Sequence, residues 1–353
     1  MWGDTMSQSA SSAKQIVSVD IRNLGVISEF TCDSLSKINL IIGGNGSGKT
    51  FLLKALYSAI KTVEEYHRGD DIRSANDILA EKLRWTFQVD KIGDIVSRSA
   101  SEPYTFSIQS GDSGFMSYRF SRDTASKITN LQNNINRSDL NSIFIPAKEI
   151  LSLYSIILKS REIDRSFGFD DTYYDLAKAL RVSPTRGRKY TPFAESRKKL
   201  VSIINGKIDL DEATNRWYYK NNGNQKFSIG GTSEGVKKIA ILDRLFANGY
   251  LSTQSILFID ELESALHPSA ISDVVDMLYY IAQNSDIQIF IASHSYFVIK
   301  KLCLLARAND EDVTCISMED NHVKISNLSE GMPENSIINE SIRLYEEEVE
   351  QVL

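Results

Sequence analysis

The spacing of apolar residues along the chain alternates between two periods. Short runs in which apolar residues alternate or follow one another predict β-strands, and apolar residues three to four positions apart over longer stretches predict helices. Predicted strands cover residues 14–24, 37–43, 104–109, 115–120, 142–147, 216–220, 226–230, 255–260, 287–293, 312–318 and 322–328. Predicted helices cover residues 50–67, 233–249, 268–284, 296–308 and 334–351, and the region 124–206 is expected to be mostly helical.

The order of these elements predicts the fold class. Glycine-containing or polar turns at 110–114, 221–225 and 319–321 join pairs of strands into antiparallel hairpins. After residue 233 helices and strands alternate, which is typical of parallel strands covered by helices. We therefore expect an α/β fold with a mostly parallel core sheet, an antiparallel β subdomain and a helical insertion.

A glycine-rich loop lies between the strand at 37–43 and the helix at 50–67 and matches GxxxxGK[ST]. Its glycines allow backbone N–H groups to turn toward phosphates, and the helix N-terminus adds the positive end of its dipole. Lys49 is expected to contact the β- and γ-phosphates, and Thr50 to bind Mg²⁺. A chance glycine turn is the alternative. The predicted nucleotide-binding residues are Gly43, Gly44, Asn45, Gly46, Ser47, Gly48, Lys49 and Thr50.

Two adjacent carboxylates, Asp260 and Glu261, end the apolar strand at 255–260. Acidic pairs at the carboxyl end of a buried strand are costly unless a cation or a reaction requires them. Asp260 is predicted to hold Mg²⁺, and Glu261 is predicted to be the general base that activates water. The alternative is a helix cap beside a solvated acid. Glu263 is close in sequence but is not our choice for the base.

Two further positions carry candidate phosphate contacts. Ser233 and Gly235 begin a predicted helix, where a hydroxyl and free N–H groups can bind an anion, although a simple helix cap explains them equally well. His294 follows the strand at 287–293 and is predicted to sense the γ-phosphate, so we count it with Lys49 and Glu261 as catalytic.

Four ordered segments, GGNGSGKT, TSEGVKK, LFIDELESALHP and IASHS, resemble the motifs of the ATP-binding cassette branch of P-loop ATPases, in the group that contains SMC, RecF and OLD-like proteins. The resemblance spans residues 17–327 and is closest to small bacterial AAA-type ATPases related to OLD proteins, several of which serve antiphage defence. It implies an ABC-ATPase head and two heads that meet head to tail. ATP would lie between one chain's Lys49, Thr50, Asp260, Glu261 and His294 and the other chain's Ser233 and Gly235. Residues 264–267 stand where this group has its D-loop.

Some family features are weak or missing. The Mg²⁺-contacting glutamine of the Q-loop is not obvious, and Gln88 is our choice. Lys148 and Glu149 resemble a short motif of the small ATPases. There is no heptad pattern for a long coiled coil, and no Toprim nuclease pattern follows the head. The resemblance therefore places any nuclease activity in another polypeptide.

Composition and charge limit the remaining classes of function and partner. The formal net charge of −6 gives no overall basic surface, so nucleic-acid binding would need a local patch. One such patch could neutralise phosphates, although a solvated face or a docking surface for an acidic protein explains it somewhat better. Its residues are Arg181, Arg186, Arg188, Lys189, Arg197, Lys198 and Lys199. No apolar run is long enough for a transmembrane helix, so no membrane partner is predicted. The scattered Cys32, Cys303 and Cys315 favour reduced thiols. We expect a cytoplasmic protein.

The sequence thus predicts a Mg²⁺-dependent ATPase that forms a homodimer or a higher oligomer and controls a separate effector, a nuclease or a toxin, in antiphage defence. A RecF-like ATPase that binds DNA is the alternative, and a transporter subunit is a third. The expected domains are a flexible leader at 1–14, the first part of the ATPase head at 15–146, a helical insertion at 147–215, the second part of the head at 216–330, and a C-terminal helix at 331–353.

Overall fold

A computed structural model describes residues 15–136, 141–183, 191–319 and 322–352. The leader at 1–14 and the basic residues Arg186, Arg188 and Lys189 lie outside this part of the chain. The strands are β1 (Ile16–Leu24), β2 (Ile27–Cys32), β3 (Ile38–Gly43), β4 (Tyr104–Ser110), β5 (Phe115–Phe120), β6 (Gln132–Asn133), β7 (Ile143–Ile145), β8 (Gly206–Asp211), β9 (Arg216–Asn221), β10 (Lys226–Ser228), β11 (Ile256–Asp260), β12 (Gln288–Ser293), β13 (Val313–Glu319) and β14 (His322–Asn327). The α-helices are α1 (Lys49–Glu65), α2 (Ala75–Phe87), α3 (Tyr154–Glu162), α4 (Asp171–Arg181), α5 (Thr191–Ile204), α6 (Glu234–Ala247), α7 (Pro268–Gln283), α8 (Tyr296–Asn309) and α9 (Ser336–Val352).

The strands form three sheets. The core sheet has the order β14-β13-β3-β12-β11-β7, in which only the edge strand β14 is antiparallel to its neighbour. A second, antiparallel sheet has the order β2-β1-β4-β5-β6, and a small third sheet has the order β10-β9-β8. The predicted α/β class with a mostly parallel core and an antiparallel subdomain is therefore confirmed.

Each face of the core sheet packs against a different layer. Leu40 and Ile42 of β3 join the hydrophobic cluster that contains helices α3 to α8, whereas Ile41 faces α1, α2 and the antiparallel sheet. On the α1 side, Phe258 stacks on Phe290 of the next strand, with ring centroids 5.2 Å apart. Both faces are covered, which explains why the strands have continuous apolar sequences.

The parallel strands bring their carboxyl ends to one edge of the sheet. Ile42 is in register with Ser293, and Asp260 is in register with Ala292. The chain segments that follow β3, β11 and β12 are therefore neighbours in space, although they are far apart in sequence. In parallel sheets this edge is the usual place for a ligand.

The structure differs from the sequence-based expectation at several elements. No pattern indicated β2, β6, β8 or α2, and the prediction of a mostly helical 124–206 was wrong at its start, since the described residues between 124 and 150 contain no helix. This stretch is rich in Asn and Ser, which favour turns over helix interiors. The helices of this region begin only at α3.

Two further findings concern membrane-spanning helices and the cysteines. Among the described residues, no helix combines the length and the apolar character that membrane crossing requires. Cys32, Cys303 and Cys315 are buried free thiols, and burial raises the pKa of each of them, to about 12 for Cys315.

Candidate nucleotide site

The loop between β3 and α1 depends on glycines with positive φ. Gly43, Gly46 and Gly48 have φ angles of 148°, 79° and 100°. A Cβ at Gly43 would lie 2.1 Å from the backbone oxygen of Met318, and one at Gly48 would lie 2.7 Å from Cγ1 of Ile27. Strand β13 and the start of β2 thus lie against the loop, and any side chain at position 43 or 48 would be strained.

We expect Gly48→Ala to destabilise the nucleotide-free protein by about 1–3 kcal/mol, because it combines a left-handed backbone with a steric contact. Gly44→Ala is the matched control, since Gly44 has an ordinary φ and no atom within 4 Å of a Cβ. Thermal unfolding of the two variants without nucleotide tests this difference. Equal melting temperatures would contradict the steric account.

Lys49 lies against the inner side of the loop. Its ammonium donates hydrogen bonds to the backbone oxygens of Gly43 and Gly44, at 2.8 Å and 2.7 Å. Burial lowers the pKa of Lys49, and the nearby charges of Asp260, Glu261 and Glu263 oppose that effect. The ammonium is thus held between the loop and the acidic residues at and just after the end of β11.

Thr50 and Asp260 form the contact that best fits a metal ion. Thr50 donates a hydrogen bond from Oγ1 to Oδ2 of Asp260 at 2.9 Å. The other oxygen, Oδ1, is buried and has no partner among the described residues, and burial raises the pKa of this carboxyl. Mg²⁺ in phosphate sites is held by one or two protein oxygens together with phosphates and water. The hydroxyl of Thr50 and the free oxygen of Asp260 fit such an ion.

Glu261 has a strained backbone. Its φ is 48°, a left-handed value that costs a non-glycine residue about 1–2 kcal/mol. The strand pairing maintains this conformation, because the Glu261 N–H donates to the backbone oxygen of Ala292 at 3.0 Å. The side chain is half-buried next to Asp260. Strain of this kind is concentrated at functional positions.

Glu263 fixes the segment that carries His294. One carboxylate oxygen accepts hydrogen bonds from the His294 N–H at 2.8 Å and lies 3.3 Å from its Nδ1, and the other accepts from Ser293 Oγ at 2.9 Å. The His294 side chain remains half exposed. Sequence reasoning gave Glu263 no role, and the structure shows that it orients the predicted sensor.

Lys238 is a second residue that sequence reasoning missed. It is buried on α6 and its ammonium donates to the backbone oxygens of Asp260, at 3.4 Å, and Glu261. Burial lowers its pKa to about 8, although Glu263, Asp260 and Glu261 act in the opposite direction. The neighbouring Lys237 forms a buried ion pair with Glu149 at 3.0 Å. Helix α6 is thereby attached to the acidic segment by one lysine and to residue 149 by the other.

Ser233 is the N-cap of α6, and Gly235 lies in its first turn. Ser233 is exposed and caps the helix by accepting from the Val236 N–H at 3.5 Å. Gly235 is buried, and a Cβ there would lie 2.5 Å from the backbone oxygen of Ala265, within the predicted D-loop. In the described part of the chain, the Ser233 hydroxyl makes its hydrogen bond to Val236 and none to residues 43–50. The structure thus leaves the hydroxyl of Ser233 open to a second molecule.

Gln88 ends α2 with a left-handed φ of 52°, and its Nε2 is buried without a partner among the described residues. The preceding Phe87 packs edge-on against Phe51, with ring centroids 5.1 Å apart. Gln88 is therefore close in space to the start of α1, but it has no described contact with Thr50 or Asp260. Its metal role stays a prediction.

The basic patch is partly engaged in contacts within the chain. Arg197 forms an ion pair with Asp243 at 2.8 Å, and the Lys199 ammonium lies 5.7 Å from the ring centre of Tyr280. Arg181 and Lys198 are exposed. Binding of DNA by this segment stays a prediction.

A cavity of about 430 Å³ borders the outer side of the glycine loop at Gly44–Ser47. Residues 26–29 form one wall, and Glu319, His322 and Ser336 lie in the wall formed by the last hairpin and the start of α9. The glycine loop thus lies between the acidic residues Asp260 and Glu261 on one side and the C-terminal elements on the other.

Comparisons with known proteins identify a family and a similar fold. Residues 38–300 match the family model described as "AAA domain, putative AbiEii toxin, Type IV TA system". The solved structure of an SMC head bound to the C-winged helix domain of ScpA is similar, with a TM-score of 0.53, 14% identity and coverage of 88% of this chain and 97% of that chain. The SMC head domain from Thermotoga maritima has a TM-score of 0.44 at 14% identity and covers 89% and 98% of the two chains. No protein of curated function matches the chain. The expected fold, a P-loop NTPase with the architecture of an ABC-ATPase head, is confirmed.

Proposed function

This chain belongs to the AAA domain family whose model matches residues 38–300, and from that premise we propose that it is a Mg²⁺-dependent ATPase whose nucleotide state switches a homo-oligomer. The observation that carries the proposal is the pairing of Thr50 with Asp260 at 2.9 Å, with the second oxygen of Asp260 buried and unpartnered. Lys49 and the strained Glu261 lie beside this pair.

In this proposal each residue of the site has its own role in ATP hydrolysis. The loop N–H groups and Lys49 bind the phosphates of ATP and neutralise part of their charge. Mg²⁺ held by Thr50 and Asp260 would neutralise further negative charge on the phosphates. Glu261 accepts a proton from the attacking water, and Glu263 keeps His294 oriented toward the γ-phosphate. No covalent enzyme intermediate is required, because positioning and electrostatics account for phosphoryl transfer.

The second half of the site comes from another copy of the chain in this proposal. Ser233 is exposed at the N-terminus of α6, where N–H groups and the helix dipole favour an anion. Lys238 on the same helix holds the backbone of Asp260 and Glu261, so each helix would contact one nucleotide site in its own chain and cap the other chain's site. ATP would thus favour association of two heads, and hydrolysis would release them.

The proposed setting is control of a separate nuclease or toxin in antiphage defence. The family description names a toxin of a type IV system, and the four motifs resemble OLD-related defence ATPases. The family description and the motif resemblance both concern relatives of this chain, so the effector is proposed by analogy.

Mixing two inactive variants tests the shared site. Ser233→Arg and Lys49→Ala should each be inactive alone, and an equal mixture should recover about a quarter of the wild-type ATPase rate, since half of the dimers carry one intact site. A mixture of Lys49→Ala with Glu261→Gln is the control, because both changes affect the same half of the site and no combination restores it. Absence of recovery in the first mixture, with exchange of chains verified, would contradict the shared site.

A further inference from the structure

Among the described residues, the contacts that anchor helix α9 lie at its start. Asn335 donates to Ser317 Oγ at 2.6 Å, the Ser336 N–H donates to Glu319 at 2.8 Å, and Ile338 is buried. Beyond this first turn, residues 342–351 are all exposed. More than two turns of the helix therefore extend beyond its buried start.

The extended part carries an apolar stripe. Ile338, Ile342, Tyr345 and Val349 are separated by four, three and four positions, the a/d spacing of a coiled-coil seam. Ile342 and Tyr345 are 50% and 66% exposed. An isolated helix with one unpartnered apolar stripe is only marginally stable, so the stripe is best explained as a docking surface.

Charges around the helix are distributed unequally between its two faces. On the face opposite the stripe, Arg343 pairs with Glu340 at 2.5 Å and with Glu347. Glu346 and Glu348 flank the stripe at the positions that face a partner helix, and the described residues provide neither of them with an ion pair. A docked helix with lysines beside the stripe would place cations next to these carboxylates.

We propose that the stripe of α9 docks a basic amphipathic helix of the separate effector, an inference that rests on the proposed function. A second copy of α9 would suit the surface poorly, because the helix has five glutamates and a single arginine. Two copies would bring their acidic flanks to the same seam, whereas a lysine-rich helix would pair with them.

The base of α9 also lies beside the nucleotide site. Ser336 and Glu319, which hold the first turn, line the cavity that borders Gly44–Ser47. A nucleotide bound to the glycine loop and a helix docked on α9 would therefore both contact elements that line this cavity. Linkage requires that if ATP changes the affinity for the docked helix, the docked helix changes the affinity for ATP by the same factor.

The test uses the full chain without nucleotide and a fluorescent peptide of three heptads, with leucine at a and d and lysine at e and g. We expect micromolar binding that weakens at least several-fold between low and high salt, because the flanking charges are exposed. A peptide with glutamate in place of the lysines should not bind. Ile342→Ser combined with Val349→Ser should weaken binding at least tenfold, and Leu344→Ser, which removes an equally exposed residue outside the stripe, should leave it unchanged.

Equal binding of the acidic and basic peptides would overturn the docking proposal, and so would equal peptide affinity of the stripe variant and the Leu344→Ser variant. A dimer in solution that the stripe variant dissociates would also overturn it, because the occupant would then be a second copy of the chain. The proposed function fails separately. If the stripe binds the basic peptide but ATP changes neither the mass of the Glu261→Gln protein nor the peptide affinity, the docking surface stands and the nucleotide switch does not.

Discussion

Glu261→Gln is expected to bind ATP as tightly as the wild type and to hydrolyse it at least about 100-fold more slowly, since a general base contributes roughly 10²–10⁴ in rate. Glutamine has nearly the same shape but cannot accept a proton from water. The backbone at this position is held by the hydrogen bond to Ala292 and by Lys238, so the substitution leaves the fold intact. Phosphate release measures turnover, and a fluorescent ATP analogue measures binding.

Two further variants make this result specific. Glu311→Gln changes an exposed carboxylate in the loop after α8 and should leave turnover unchanged. Glu263→Gln should reduce turnover less than Glu261→Gln, because Glu263 acts by orienting His294. If Glu261→Gln kept near-normal turnover and Glu263→Gln lost turnover, Glu263 would be the general base instead of Glu261.

Lys49→Ala is expected to weaken ATP binding at least about 100-fold, which corresponds to about 2.7 kcal/mol. The ammonium lies within the curve of the loop, where it already contacts two backbone oxygens, and a phosphate would replace them as partner. Its removal also leaves Asp260, Glu261 and Glu263 with less compensating charge, so the site repels the phosphates. Truncating one partner of a buried charged contact typically costs 2–5 kcal/mol.

Titration with a fluorescent ATP analogue measures this loss. Lys91→Ala, which removes an exposed lysine outside the loop, is the control and should bind ATP normally. Retained micromolar binding by Lys49→Ala would mean that the glycine loop is not the phosphate site.

The sequence predicted those strands and helices whose local residue pattern matches their environment in the fold. Continuous apolar runs identified β3, β11 and β12 because these strands are buried on both faces, and the glycine loop followed from its spacing between a strand and a helix. The neighbourhood of Gly43, Asp260 and His294 could be predicted as well, because parallel strands end at one edge.

Other features depend on contacts between distant segments. Strand β8 is as long as β3, but only two of its six residues are buried, so it lacks a continuous apolar run and is defined by its pairing with β9. Nothing in the local sequence distinguishes Lys238, which is buried against Asp260 and Glu261, from the exposed lysines of other helices. The left-handed backbone of Glu261 likewise results from the pairing with Ala292. Tertiary packing decides such positions, and residue type alone does not predict them.

The solution mass of Glu261→Gln, determined by light scattering with and without ATP and Mg²⁺, tests the central claim most directly. This variant should hold ATP without hydrolysing it, so the bound state accumulates. The account predicts a mass that rises by whole chains only when both ATP and Mg²⁺ are present, and that falls again when Ser233→Arg is added to the same chain. A mass that stays the same with and without nucleotide, while ATP binding is verified, would contradict a switch that works by ATP-driven association.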